Sequence, residues 1–321
     1  MLSRVAESLY WMSRYLERAE HTARLLDLNL HQMLDQSPIS VETRWDRLLQ
    51  CLSVKFKDEA PSLEAFEITR ALTFDQTQDA SILCCITRAR ENARQIREQI
   101  SSEMWEQLNR LSLQIKRTGM EELWQSEPHE FFQAVKDGSH LFQGITEATM
   151  SRGEGWHFIQ LGRYIERAQA TAKLLDVHLT SLVERQRSEG AQLDFVEMVA
   201  LLKSCTAFEA YCQFYTAYMQ PSYIAEFLLL SAECPRSVRF AVEVVQVALK
   251  AIAKQTGINK SSRAERIAGR LRATLEFGQV DEIIADSLHE FLEDTQQLCT
   301  QVHNGILQTY ISYPIDIALA S

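Results

Sequence analysis

Helix and strand breakers are scarce in this chain, with 11 glycines and 6 prolines among 321 residues. So few turn-formers leave little room for many short strands and favour long helices. An excess of basic charge is also lacking. The formal net charge is -10 and the isoelectric point about 5.4, so there is no global basic footprint for nucleic acid. No apolar run approaches the roughly 18 residues of a membrane-spanning helix. The longest, Phe227 to Leu230, reads as a core segment. Met1 to Glu7 lacks the basic-then-apolar design of a signal peptide and reads as the start of an amphipathic helix. A cytoplasmic protein with neither a nucleic-acid nor a membrane partner is the expectation.

Chemical signatures are missing as well. The seven cysteines (51, 84, 85, 205, 212, 234 and 299) form no C-x-x-C pair and lie in apolar helical stretches, which points to reduced core thiols. There is no P-loop, Gly-x-Gly-x-x-Gly, Gly-x-Ser-x-Gly or His-Glu-x-x-His. An aspartate-rich diphosphate site is approached only by Asp281-Glu282-x-x-x-Asp286, which has the wrong spacing. A di-metal helical bundle needs two Glu-x-x-His motifs, and Glu154-Gly-Trp-His157 stands alone. His289 and His303, fourteen residues apart near one face of the last helix, lack a partner set. No metal and no cofactor are expected, and catalytic residues are not identified.

What the chain does have is an internal repeat. Arg14 to Leu30 lies over Arg163 to Leu179 at an offset of 149, with eleven of seventeen positions identical, among them Arg-Tyr-x-Glu-Arg-Ala and Leu-Leu-Asp. Each copy follows a Ser-Arg pair and an aromatic cluster, Tyr10-Trp11 in one and Trp156-His-Phe158 in the other. Phe74 through Ser81-Ile82 resembles Phe227 through Ser237-Val238 more faintly. The chain therefore reads as a duplication, with a first unit over 1–150 and a second over 151–321, packed as one compact all-α body. Apolar positions recur with the 3.6-residue period, and helices are expected at 3–33, 41–54, 62–72, 80–99, 102–117, 128–150, 154–187, 192–218, 235–254, 261–276 and 281–312.

Placed at 100° steps, Ser8, Met12, Tyr15, Ala19, Ala23, Leu26 and Leu30 share one face of the first repeat helix. The alanines suggest a close helix–helix crossing. Glu17 falls almost opposite that face, yet it recurs as Glu166, which suggests that its side is covered too. Two readings follow. Arg18 and Arg167 cross-pair with Glu166 and Glu17 between the halves as a structural seam, or Arg14, Arg18, Arg163 and Arg167 form an anion site oriented by the glutamates. A second basic face is expected at Arg90, Arg94 and Arg97, on one side of a helix at i, i+4, i+7.

The doubled Arg-Tyr-x-Glu-Arg-Ala helix, with Ser-Arg-x-Ala-Glu-Ser-Leu-Tyr-Trp ahead of it at 3–11, resembles the bacterial alpha-E family. Ala89-Arg-Glu-Asn-Ala-Arg94, Ser102-Glu-Met-Trp105, Thr149-Met-Ser-Arg152 and Pro235-Arg-Ser-Val238 extend the likeness over essentially the whole chain. The resemblance implies a Glu-Arg motif at Glu17-Arg18 and Glu166-Arg167, with Arg14 and Arg163 as companions. It further implies neighbours: an ATP-grasp ligase-like protein, a transglutaminase-like cysteine peptidase and sometimes a proteasome-like peptidase. The expected function is a helical partner or scaffold of such a peptide-ligation or peptide-modification system. The alternative is an enzyme or anionic-ligand-binding protein that uses the Arg/Glu-lined seam.

Overall fold

A computed structural model describes residues 1–33, 40–55, 64–125, 128–189, 195–216, 218–257 and 261–311. Among these residues there are helices and no strand. In chain order the helices are α1 (Ser3–Gln32), α2 (Val41–Cys51), α3 (Ala65–Phe74), α4 (Ile82–Gln95), α5 (Ser102–Arg117), α6 (Met120–Gln125), α7 (Pro128–Thr149) and α8 (Glu154–Glu189). They continue with α9 (Phe195–Ser204), α10 (Phe208–Tyr215), α11 (Pro221–Ala225), α12 (Val238–Thr256), α13 (Arg263–Phe277), α14 (Val280–Asp286) and α15 (Leu288–Ile306). No helix among the described residues is long and apolar enough to cross a membrane.

Local chemistry sets many of these ends. Ser40, Ser101, Ser237, Ser262 and Ser287 each accept a hydrogen bond from a backbone N–H three residues on, which satisfies one of the open donors of the first helical turn. Ser262 and Ser287 are each followed by Glu three residues later, the capping-box spacing. Gly257 closes α12 at φ 71, where a side chain is disfavoured. Pro221 opens α11, where its missing N–H costs nothing.

Three expected elements differ. The helix expected over 192–218 is broken by Thr206 at φ 50; the start of that range, like the start of the helix expected over 62–72, lies outside the described residues. The helix expected over 281–312 splits at Ser287, whose hydroxyl caps α15. α4 ends at Gln95 and passes into a tight turn at Arg97–Gln99. The Phe227-to-Leu230 segment lies in a wide π-type turn, Glu226–Leu230.

The packing is organised around two long helices. α1 packs against α4 and α7, and α5 lies between those two, so four helices close a ring. α8 packs likewise against α12 and α15, with α13 between them. α1 and α8 also pack directly on each other, joining the rings. α1 is therefore buried on both sides: Met12, Ala19, Ala23 and Leu26 are wholly buried on one face, and Glu17, almost opposite, is 3% exposed. Where the helices cross, Gly162 of α8 is essential to the approach. A Cβ there would lie 2.1 Å from both the Tyr10 carbonyl oxygen and the Ser13 Oγ of α1.

Candidate functional site

The crossing of α1 and α8 holds a network of buried charge. Glu166 accepts from Arg14 Nε at 2.7 Å and from Arg18 Nε at 2.6 Å, with Arg18 Nη2 at 3.1 Å. Glu17 accepts from Arg167 Nε at 2.7 Å and from Arg167 Nη2 at 3.0 Å. Each glutamate thus receives the fork of the arginine that follows its counterpart in the other copy of the repeat, the bidentate geometry to which a guanidinium is suited. Arg163 is more loosely placed, with Nε 3.8 Å from Glu17.

Groups outside the repeat motif complete the network. Arg236, just ahead of α12, reaches both Glu17 and Glu20 at 3.3 Å. Arg24 donates to Glu20 at 2.8 Å, to Thr206 Oγ1 at 3.1 Å and to His21 Nδ1 at 3.0 Å. Gln143 of α7 donates to Glu17 at 3.2 Å. On the other side, Arg14 Nη1 lies 2.9 Å from His303 Nδ1 of α15, and the Tyr10 hydroxyl lies 2.7 Å from the same nitrogen. The Arg14 guanidinium also sits over the Trp11 ring, 5.0 Å from its centroid.

Burial alone pushes the Glu166 carboxyl upward, but Arg14 and Arg18 outweigh it and hold the group at about 2. Glu17 is depressed in the same way, with burial opposed by Arg167 and Arg236. Burial and the adjacent Arg24 push His21 down to about 3, and burial with Arg14 pushes His303 down to about 4. Both imidazoles are neutral near pH 7. Charge across the network is unequal: among the described residues, Arg14, Arg18, Arg24, Arg163, Arg167 and Arg236 surround the carboxylates Glu17, Glu20 and Glu166.

The repeat signal pointed to Arg14, Glu17, Arg18, Arg163, Glu166 and Arg167, and the structure brings all six together. It gave no sign of Glu20, Arg24 or Arg236, because these positions differ between the copies. Arg90, Arg94 and Arg97 lie elsewhere and do not share one helix face, since α4 stops before Arg97. Arg90 and Arg97 stack over Trp105 at 5.4 and 4.9 Å, and Arg94 pairs with Glu91 at 2.8 Å. His289 and His303 go to different partners, His289 to Asp176 at 2.6 Å and His303 to Arg14 and Tyr10.

Asp27, from the repeated Leu-Leu-Asp, gathers a cluster whose other members carry no motif. It receives His129 at 2.8 Å and Lys136 at 2.6 Å, and with His31 and His129 it forms a group whose ligand atoms lie within 4.8 Å of one another. The Lys136 ammonium already occupies one carboxylate oxygen there, which disfavours a second cation. All seven cysteines are free. Burial raises the thiols of Cys85, Cys205 and Cys299 to about 12, 11 and 12, away from the thiolate a nucleophile requires.

Comparison with known proteins adds family context. The model of the Alpha-E family, described as a predicted alpha-helical domain with a conserved ER motif, matches residues 1–311. An uncharacterized protein of Mycobacterium bovis is similar to the chain at 25% identity over 315 residues, covering 91% of this chain and 34% of the relative. Uncharacterized proteins of two Mycobacterium tuberculosis strains match over the same shares at 25% and 24% identity. The chain thus spans about one third of the length of these relatives. No solved structure matches.

Proposed function

Because the chain belongs to the Alpha-E family, we propose that it is a non-catalytic helical partner protein that docks an ATP-grasp ligase-like protein in a peptide-ligation or peptide-modification system. The observation that carries this reading is an exposed aromatic patch beside α10 and α11. Phe214, Tyr218 and Tyr223 are 59%, 57% and 37% exposed. They are joined by ring contacts, Tyr218 to Tyr223 at 5.9 Å, Tyr223 to Tyr215 at 5.1 Å, and Phe214 to the buried Phe227 at 5.7 Å. Exposed tyrosine and phenylalanine backed by a rigid core are the side chains that protein interfaces favour.

Two further observations agree. The mycobacterial relatives join a unit of this kind to about twice its length of additional chain, as suits a module that works beside a neighbour. The most deeply buried thiols are held un-ionised, which fits a supporting role better than a nucleophilic one. The proposal puts the complex in the cytoplasm, where free thiols stay reduced, with the transglutaminase-like peptidase acting in the same system.

Calorimetric titration of this chain with the purified ligase-like protein tests the reading. Saturable binding is expected, weakened about tenfold by the double substitution Phe214→Ser, Tyr218→Ser. No binding between two folded proteins overturns the reading.

A further inference from the structure

The two sides of the seam are built on matching backbone but filled differently. Thr22 of α1 donates to the carbonyl of Ala80, the residue before the Ser81 that starts α4. Thr171 of α8 donates in the same way to the carbonyl of Arg236, the residue before the Ser237 that starts α12. Arg236 therefore reaches into the Glu17 side and bridges two glutamates, whereas its counterpart on the Glu166 side is the methyl group of Ala80. In the repeat, Gln169, Ala170 and Lys173 stand where Glu20, His21 and Arg24 stand in the first copy. Shorter and less acidic side chains leave an open cleft of about 1100 Å³, including its solvent-filled mouth, between Arg18, His21, Ala80, Glu166, Ala170 and Lys173.

His21, Arg18 and Lys173 all line this cleft. His21 is 6% exposed. Its Nδ1 is 3.0 Å from Arg24 Nη2, and a guanidinium can only donate, so Nδ1 is the acceptor and the imidazole hydrogen is on Nε2. That Nε2 is buried and has no hydrogen-bond partner among the described residues, a costly state for a donor. The imidazole lines both the cleft and a small internal cavity behind it that reaches Arg167 and Arg236. Arg18 gives Nε and Nη2 to Glu166 and is still 24% exposed, and the Lys173 ammonium, 3.2 Å from Asp176, is 30% exposed. Arg18 belongs to the network of six guanidinium groups and three carboxylates described above. On the opposite side of the balance are Glu166, whose oxygens are taken up by Arg14 and Arg18, and Asp79, which pairs with Arg88 at the rim at 2.7 Å.

We infer that this cleft binds a small ligand through an oxyanion group, a carboxylate or a phosphate, held by His21 Nε2–H, Arg18 and Lys173. The ligand brings negative charge to a network with an excess of three positive charges, and it gives the buried imidazole hydrogen its acceptor. On the Glu17 side the corresponding position is filled by Arg236, which bridges Glu17 and Glu20.

The test is a titration of the full chain with inorganic phosphate and, separately, with acetate, at constant ionic strength against chloride. The His21 Nε2–H resonance is followed in proton–nitrogen spectra and assigned with His21→Gln. A saturable shift with either anion is expected. Phosphate alone points to a phosphate ester as the ligand, while a response to acetate points to a carboxylate. Lys173→Met, at a half-buried rim position, should weaken the response about tenfold, with the helical circular dichroism retained. If neither anion moves the resonance more than chloride does, or if Lys173→Met binds as the unsubstituted chain does, the inference fails.

Discussion

Glu17 and Glu166 occupy equivalent places in the repeat, and their surroundings assign them different weights. Glu17 is shared by Arg167, Arg236 and Gln143 in a closed interior, whereas Glu166 lies beside a cleft that admits water. Removing one partner of a buried ion pair strands the other and costs about 3–5 kcal/mol. Glu17→Ala should therefore lose stability of that order, and Glu166→Ala distinctly less, because water entering the cleft can solvate Arg18. Urea unfolding of the two variants decides; equal losses would contradict the asymmetry. At this scale the sequence was informative where the copies agree and silent where they diverge. Six charged residues were legible from the offset of 149. Arg236 was not, because its counterpart is Ala80, and neither was His303, which meets Tyr10 and Arg14 across 293 and 289 residues with no periodicity to announce it.

Among the elements, the crossing of α1 and α8 depends on a residue that the pattern of alanines did not single out. Ala19 and Ala23 are wholly buried, yet the closest approach is at Gly162, which meets the Tyr10 carbonyl. Gly162→Ala places a methyl group 2.1 Å from backbone that cannot rotate away, and about 1–3 kcal/mol of overpacking cost is expected. Gly144, an interior position of α7 where an added methyl group would meet nothing within 4 Å, should respond in the opposite sense. Alanine there gains about 0.4–1 kcal/mol by restricting the unfolded chain. Denaturant midpoints of the two variants should move in opposite directions; a shared direction would refute the packing argument. Helix ends followed the same logic of visible and hidden causes. Gly257 and Pro221 mark breaks in any reading of the chain, whereas Thr206 and Ser287 interrupt apolar patterns that run on past them. The local conformation at Thr206 and the cap at Ser287 overrode the periodicity.

For the molecule as a whole, two four-helix rings joined through buried charge imply a characteristic response to acid. His21 and His303 are depressed in the folded state from an ordinary 6.5 to about 3 and about 4. The unfolded chain therefore takes up these protons first. Their contribution is complete above pH 6.5 and declines as pH falls toward the folded values. The Glu166 carboxylate, depressed from 4.5 to about 2, contributes above pH 4.5 and loses that contribution as pH falls to about 2. Unfolding free energy measured at pH 7, 5 and 3 should thus fall in two stages; a value unchanged from pH 7 to pH 5 would show that the buried imidazoles carry no such linkage. The all-helical architecture was legible in the scarcity of breakers and the 3.6-residue period. The joining of the rings was legible as one of two readings, the cross-pairing of Arg18 with Glu166 and of Arg167 with Glu17, side chains about 150 positions apart.

That separation has a consequence for the order in which the protein is made. Arg167 and Arg236 leave the ribosome long after Glu17 has done so, and Glu166 follows Arg14 and Arg18 by a similar interval. Until α8 is synthesised, the first ring holds a carboxylate and two guanidinium groups whose counter-charges do not yet exist, and water must remain around them. The Glu17, Arg14 and Arg18 side of α1 thus gains these ion-pair partners only once the second half of the chain has been made.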